Sequence, residues 1–261
     1  MPLIFLPKLR LNACLSGPEN GQNLVLLHAL GSHMGIWDDV LPHLPHHRIL
    51  RLDLRGHGQS DAPTGPYAMG AMIHDVEEVM AHFGMTDAVA IGVSLGGLIA
   101  QGLAIKRLDL LRGLVLSNTA AKIGGPGLWH QRIDAVAQTG LAPYAAGAMQ
   151  RIFGPAWQSA AHMPRLREML VQTPVQGWIG AAHAIAGADF FTPLSTLHLP
   201  ALVIAGSLDG TTPPDLVRET AQILPNGEFH LMRGVGHLPM VEQPAAFAAL
   251  VRAFLVRIGH G

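Results

Sequence analysis

One cysteine in 261 residues, Cys14, leaves this chain without an internal disulfide. That excludes the small secreted folds stapled by bridges and fits a reducing cytoplasm. Tyrosine is almost as scarce, with only Tyr67 and Tyr144. Charge is sparse too: Asp, Glu, Lys and Arg make up 13%, the formal net charge is −1, and no basic block occurs. A near-neutral chain of this kind argues against nucleic acid as a partner. No apolar run approaches the roughly 20 residues that a membrane-spanning helix needs. The start, Met1-Pro-Leu-Ile-Phe-Leu-Pro-Lys8, is broken by two prolines with no basic region ahead of it, unlike a signal peptide. The expectation is a cytoplasmic protein that handles a small molecule. Cys14 has no base beside it and reads as a packing residue.

Against these shortages stand 49% apolar residues, 30 glycines and 19 prolines. Short apolar runs alternate with helical periodicity. Residues 3–6 and 9–15 read as a leading antiparallel pair. Leu24–His28, Arg48–Asp53, Val89–Val93, Leu114–Leu116, Ala201–Ala205 and Glu228–Leu231 read as buried strands, and segments near 36–44, 69–84, 95–107, 215–224 and 244–258 as helices. The alternation predicts an α/β fold, with a mostly parallel central sheet covered by helices on both faces. Between residues 121 and 196 it stops. That stretch reads as helices near 128–139, 143–152, 158–172 and 177–187, and it holds three of the four tryptophans, Trp129, Trp157 and Trp178. Residues 1–120 and 197–261 are therefore expected to form the core. Residues 121–196 are expected as a helical cap over the carboxyl edge of the sheet, where α/β proteins bind ligands. An apolar cap also suits a subunit contact, so a homo-oligomer stays open. The patch His43-Leu-Pro-His-His47 matches no ligand spacing, and no metal is expected.

The run Asp87-Ala-Val-Ala-Ile-Gly-Val-Ser-Leu-Gly-Gly-Leu-Ile-Ala100 carries the chemistry. A β-branched strand stops at Gly92-Val-Ser-Leu-Gly96 and a helical pattern starts at once. This strand–turn–helix resembles the nucleophile elbow of α/β-hydrolases, in which the chain order is nucleophile, acid, histidine. A serine on so tight a turn needs glycines two residues before and after it, because side chains there would clash. After Ser94, the strand Ala201–Ala205 leads to Asp209 and the strand Glu228–Leu231 leads to His237. The order is met. His237 then takes the Ser94 proton, and Asp209 fixes the imidazole tautomer and stabilises its charged form. Asp215 is a rival acid that reads better as a first-turn helix residue. His57 is a rival base that precedes the serine and breaks the order. Two main-chain donors should form an oxyanion hole: Leu95, after the nucleophile, and Leu30, in the loop after Leu24–Leu27. Ser32 and His33 are candidate pocket-lining groups.

The likeness extends over nearly the full length. It rests on His28-Ala-Leu-Gly31, Asp53-Leu-Arg-Gly-His-Gly-Gln-Ser60, the Ser94 elbow, Leu199–Gly206 with Asp209, and Gly236-His237. Within the α/β-hydrolase superfamily the chain resembles the 3-oxoadipate enol-lactonase family of the β-ketoadipate pathway. The motifs are Arg55-Gly-His-Gly-Gln-Ser-Asp-Ala-Pro-Thr-Gly-Pro-Tyr67, Leu116-Ser-Asn-Thr-Ala-Ala-Lys-Ile-Gly124 leading to Trp129 and Arg132, and Arg151-Ile-Phe153. The run after the histidine, Leu238-Pro-Met-Val-Glu-Gln-Pro244, looks instead like a generic or ring-cleavage-product hydrolase. The resemblance implies hydrolysis of a small anionic enol-lactone through an acyl-enzyme, with no cofactor. It also implies a cation for the substrate carboxylate in a largely apolar pocket, with Arg132, Arg151 and Trp129 as candidate binding residues. A carboxylesterase or C–C bond hydrolase on another small acid stays open, as does a non-catalytic receptor on the same scaffold. Serine at the elbow and only two tyrosines disfavour haloalkane dehalogenase and epoxide hydrolase chemistry.

Overall fold

The computed structural model describes residues 3–6, 9–157 and 163–261. Eight strands make the sheet: β1 (Leu3–Leu6), β2 (Leu9–Ser16), β3 (Gln22–Leu27), β4 (His47–Leu52), β5 (Ala88–Val93), β6 (Leu111–Ser117), β7 (Ala201–Gly206) and β8 (Gly227–Met232). Their order is β1-β2-β4-β3-β5-β6-β7-β8. β1 and β2 pair antiparallel, β2 runs antiparallel to β4, and every later pairing is parallel. β5 is buried at every residue, as a strand with helices on both faces must be. The helices that cover the sheet are α1 (Met69–His82), α2 (Leu95–Lys106) and, after the segment below, α8 (Pro214–Ile223), α9 (Pro239–Glu242) and α10 (Pro244–Arg257).

Between β6 and β7 lie α3 (Pro126–Thr139), α4 (Leu141–Ile152), α5 (Met163–Gln172), α6 (Val175–Ala186) and the single turn α7 (Phe191–Leu194). α4 buries Leu141, Ala145, Ala148 and Met149, the spacing of one helix face. It packs on α5, and α3 packs on α6. The helix expected over 158–172 is seen from Met163; residues 158–162 lie outside the described residues. One expectation is corrected. Residues 36–44 are not a helix but two 3-10 turns, Met34–Trp37 and Leu41–His43. Pro42 has no N–H to donate and its ring blocks the carbonyl one turn earlier, so an α-helix cannot run through it.

This order positions the site. The chain leaves β3 on one side for β4 and returns on the other side as β5, so a crevice opens at the carboxyl ends of β3 and β5. Those ends are aligned, with Leu27 opposite Gly92. The loop after β3 therefore lies beside the elbow after β5. The pairing of Gly206 with Met232 sets the loops after β7 and β8 side by side in the same way.

Candidate active site

Ser94 has φ 55° and ψ −116°, on the left-handed side of the map that a serine occupies only when its surroundings compel it. The flanking glycines are required by space. A Cβ on Gly92 would stand 2.3 Å from the Gly96 carbonyl oxygen, and one on Gly96 would stand 2.2 Å from the Leu27 carbonyl oxygen. β6 holds the turn from its other side: Ser94 N–H donates to the Ser117 carbonyl at 3.1 Å, and Thr119 Oγ1 donates to the Ser94 carbonyl at 2.8 Å. Leu95 is the first residue of α2, so its N–H has no acceptor within the helix. Its side chain is fully buried in the core. Leu30 lines the cavity in front of Ser94, and its N–H meets no backbone acceptor among the described residues.

Asp209 and His237 are in direct contact. His237 Nδ1 donates to Asp209 Oδ2 at 2.7 Å, and both side chains are buried. Asp209 is over-determined. Its Oδ1 accepts the N–H groups of Thr211 and Thr212 at 2.7 and 3.0 Å, and its Oδ2 also accepts Asn118 Nδ2 at 2.8 Å and Thr212 Oγ1 at 2.7 Å. Burial alone would raise this carboxyl. The opposite charge of His237 and the hydrogen bonds from His237, Asn118 and Thr212 outweigh it and hold Asp209 below the usual carboxylate value. At ordinary pH it is an anion that accepts from Nδ1–H, which leaves Nε2 as the basic nitrogen.

Ser94 and His237 line one cavity of about 700 Å³, counting its open mouth. No hydrogen bond joins them in this arrangement. Leu30 and Ser32 form its floor on the sheet side, and α3 to α6 form its roof with Trp129, Arg132, Tyr144, Arg151, Leu166, Leu170 and Trp178 among others. The sequence profile of the alpha/beta hydrolase fold matches residues 22–244. The chain is 31% identical over 250 residues to 3-oxoadipate enol-lactonase 2 of Acinetobacter baylyi, covering 95% of this chain and 93% of that one. The chain belongs to the α/β-hydrolase family. Among solved structures it is similar to the enol-lactonase of Burkholderia xenovorans LB400, with a TM-score of 0.94, 30% identity, and 98% of this chain and 100% of that one covered. It is also similar to a malate-bound thermophilic esterase from Thermogutta terrifontis, with a TM-score of 0.90, 27% identity, and 98% and 97% of the two chains covered. The protein is thus an ester-hydrolysing enzyme.

The lining of this hydrolase's cavity is mostly apolar, and apart from His237 two basic side chains enter it. Arg132 lies over the Trp129 ring at 4.9 Å and Arg151 over the Tyr144 ring at 5.6 Å. Neither forms an ion pair among the described residues, whereas Arg10, Arg51, Arg55, Arg107 and Arg112 all meet carboxylates. Burial chiefly lowers the Arg132 pKa; Tyr144 opposes the shift and the nearby Arg151 charge adds to it. Trp129 is itself tied down, donating Nε1–H to the Ile123 carbonyl at 2.6 Å. An arginine stacked on a ring keeps its outward N–H groups free for an anion.

Other candidates fall elsewhere. Ser32 lines the cavity, but its hydroxyl is spent on the Ala29 carbonyl at 2.8 Å. His33 does not line it: its Nδ1 accepts Gly35 N–H and caps the turn Met34–Trp37. His57 is buried, bonded to the Arg55 carbonyl at 3.0 Å and packed edge-on against His28. Burial pushes its pKa down to about 4. Asp215 lies in the first turn of α8, and His237 pairs with Asp209 instead. Sequence reasoning missed Asn118, whose Nδ2 bridges Asp209 and the Gly236 carbonyl at 3.0 Å. Its buried, positive-φ backbone (φ 47°) is a structural signal. In the sequence it was one letter of a family-like run.

Proposed function

We propose that this hydrolase opens 3-oxoadipate enol-lactone to 3-oxoadipate on Ser94. What carries the reading is a pair of arginines that meet no carboxylate among the described residues, Arg132 and Arg151, in a mostly apolar cavity shared with Ser94 and His237. Unpaired cations in such a setting select a small acid over a neutral ester. Similarity to the Acinetobacter and Burkholderia lactonases supports the same substrate. Residues 121–196 then act as the cap that closes over it. The single cysteine suits a cytoplasmic location.

Ser94 Oγ attacks the lactone carbonyl carbon while His237 Nε2 takes its proton. The carbonyl oxygen becomes an oxyanion facing the N–H groups of Leu30 and Leu95. Collapse breaks the ring C–O bond, leaving an acyl-ester on Ser94 and an enolate. The enolate is resonance-stabilised and takes the proton that His237 holds to become the ketone, which leaves His237 neutral for the next step. Water then attacks the acyl carbon, His237 takes its proton and returns one to Ser94 Oγ, and the second carboxylate is released. Asp209 stays ionised throughout and stabilises the imidazolium formed twice in the cycle.

A second reading is an esterase for another small acid, favoured by similarity to the Thermogutta esterase with malate bound. A spectrophotometric assay separates them, using enol-lactone generated in situ from muconolactone with the Ser94→Ala protein as control. Loss of the lactone signal with wild type and not with the variant is expected. Brisk p-nitrophenyl acetate hydrolysis without lactone turnover would put the esterase reading first.

A further inference from the structure

Glu242 is a buried carboxylate, 4% exposed, that the reaction above does not use. It sits in α9, five residues after His237, and both of its oxygens accept the Gly236 N–H, at 2.9 and 3.0 Å. No Lys or Arg pairs with it among the described residues. Gly236 is held on every side. Its carbonyl accepts Asn118 Nδ2 at 3.0 Å, and the next N–H, that of His237, donates to the Ile152 carbonyl at 2.6 Å. A Cβ on Gly236 would stand 2.2 Å from that same carbonyl oxygen. The segment that presents the imidazole is therefore pinned at the Gly236 N–H by Glu242, at the Gly236 carbonyl by Asn118, and at the His237 N–H by α4.

A neutral glutamine could accept the Gly236 N–H as well as glutamate does, and burying it would cost less. What only the carboxylate adds is a negative charge beside His237. We propose that Glu242 is a second carboxylate serving His237: it fixes the segment that carries the imidazole, and its charge stabilises the imidazolium formed when Ser94 gives up its proton. It is a positioning residue, acting through His237 without touching substrate. The inference rests on His237 being the base and is independent of the lactone assignment.

The titratable groups that act on Glu242 are Asp209, from the loop after β7, and His237, from the loop after β8. The turn Met34–Trp37 and α10, which pack on α9, bring no charged side chain in residues 34–37 or 244–251. Burial pushes the Glu242 carboxyl up, to about 7; the N–H groups of Gly236 and Leu238 and the charge of His237 pull it down, and Asp209 pushes it up. The charge is thus present above about pH 7 and is lost as pH falls through that value.

The experiment is a pH profile of kcat/KM for p-nitrophenyl acetate with wild type and Glu242→Gln, which keeps the acceptor and the volume. Wild type should still be rising through pH ~7. The variant should melt at the wild-type temperature, reach its plateau at lower pH, and sit about tenfold below wild type there. Infrared spectra should show a protonated-carboxyl band in wild type that vanishes as pH rises through about 7 and is absent from the variant. Superimposable profiles would overturn the proposal. So would an equal loss at every pH with a lowered melting temperature, which marks a packing role alone. Ester turnover surviving Ser94→Ala would instead remove the catalytic assignment beneath it.

Discussion

Replacing Asp209 with asparagine puts one amide N–H₂ where an oxygen accepts, and the surroundings decide which one. Oδ1 receives two backbone N–H groups, from Thr211 and Thr212. Turning the amide nitrogen toward them would leave two buried donors facing a donor, at about 1–3 kcal/mol each. The nitrogen is therefore forced onto the Oδ2 side, where it meets His237 Nδ1, Asn118 Nδ2 and Thr212 Oγ1. The threonine hydroxyl can rotate and accept. Asn118 cannot turn over without losing its bonds to the Gly236 carbonyl and from Ser117 Oγ. Least costly of all is for His237 to move its proton from Nδ1 to Nε2. That relaxes the structure and disarms His237 in its proposed role as base, since a protonated Nε2 cannot accept from Ser94. In serine-hydrolase triads the wrong tautomer costs about 10⁴ in kcat, or about 5.5 kcal/mol of transition-state stabilisation. Steady-state p-nitrophenyl acetate hydrolysis near neutral pH, with a thermal melt of the same protein, measures it. A loss under about tenfold in a protein that melts like wild type would refute the tautomer argument.

Two further outcomes follow from charge and burial. If Arg132 holds the substrate carboxylate, Arg132→Ala should raise KM for the enol-lactone about 10- to 100-fold while leaving KM for p-nitrophenyl acetate within about twofold; equal effects on both would reject that role. Folding stability should fall on mild acidification, because burial lowers the pKa of His28 to about 3 and that of His57 to about 4, and the two together outweigh the opposite contribution of Glu242, raised to about 7. The unfolded chain protonates both below about pH 6.5 while the folded protein keeps them neutral, so stability is full above that pH and lost as pH drops toward 4. Urea midpoints across that window test it, and a flat midpoint from pH 7 to 5 would contradict it.

The sheet was legible because its signals are local and redundant. Runs such as Ala88–Val93 and Ala201–Gly206 are buried along their whole length. The elbow was legible for a steric reason: only a glycine–x–serine–x–glycine turn tolerates contacts as short as those at Gly92 and Gly96. The region around 36–44 misled, since apolar spacing suggested a helix that Pro42 forbids.

The amino-acid order by itself determined the fold class, the carboxyl ends of the parallel strands to within a residue, and the chain order of Ser94, Asp209 and His237, because each depends on neighbours within a few residues. Only the tertiary structure decided what those ends meet. That Asn118, from the end of β6, bridges Asp209 and the His237 loop follows from β6 lying beside β7, a pairing across more than eighty residues. That Arg132 and Arg151 meet no carboxylate among the described residues, while most other arginines do, depends on where α3 and α4 settle over the sheet. Glu242 reads in the sequence as one acid in the run Leu238–Pro244 after the histidine. Burial against Gly236 makes it a charge that His237 can feel, and burial is a property of the packed molecule alone.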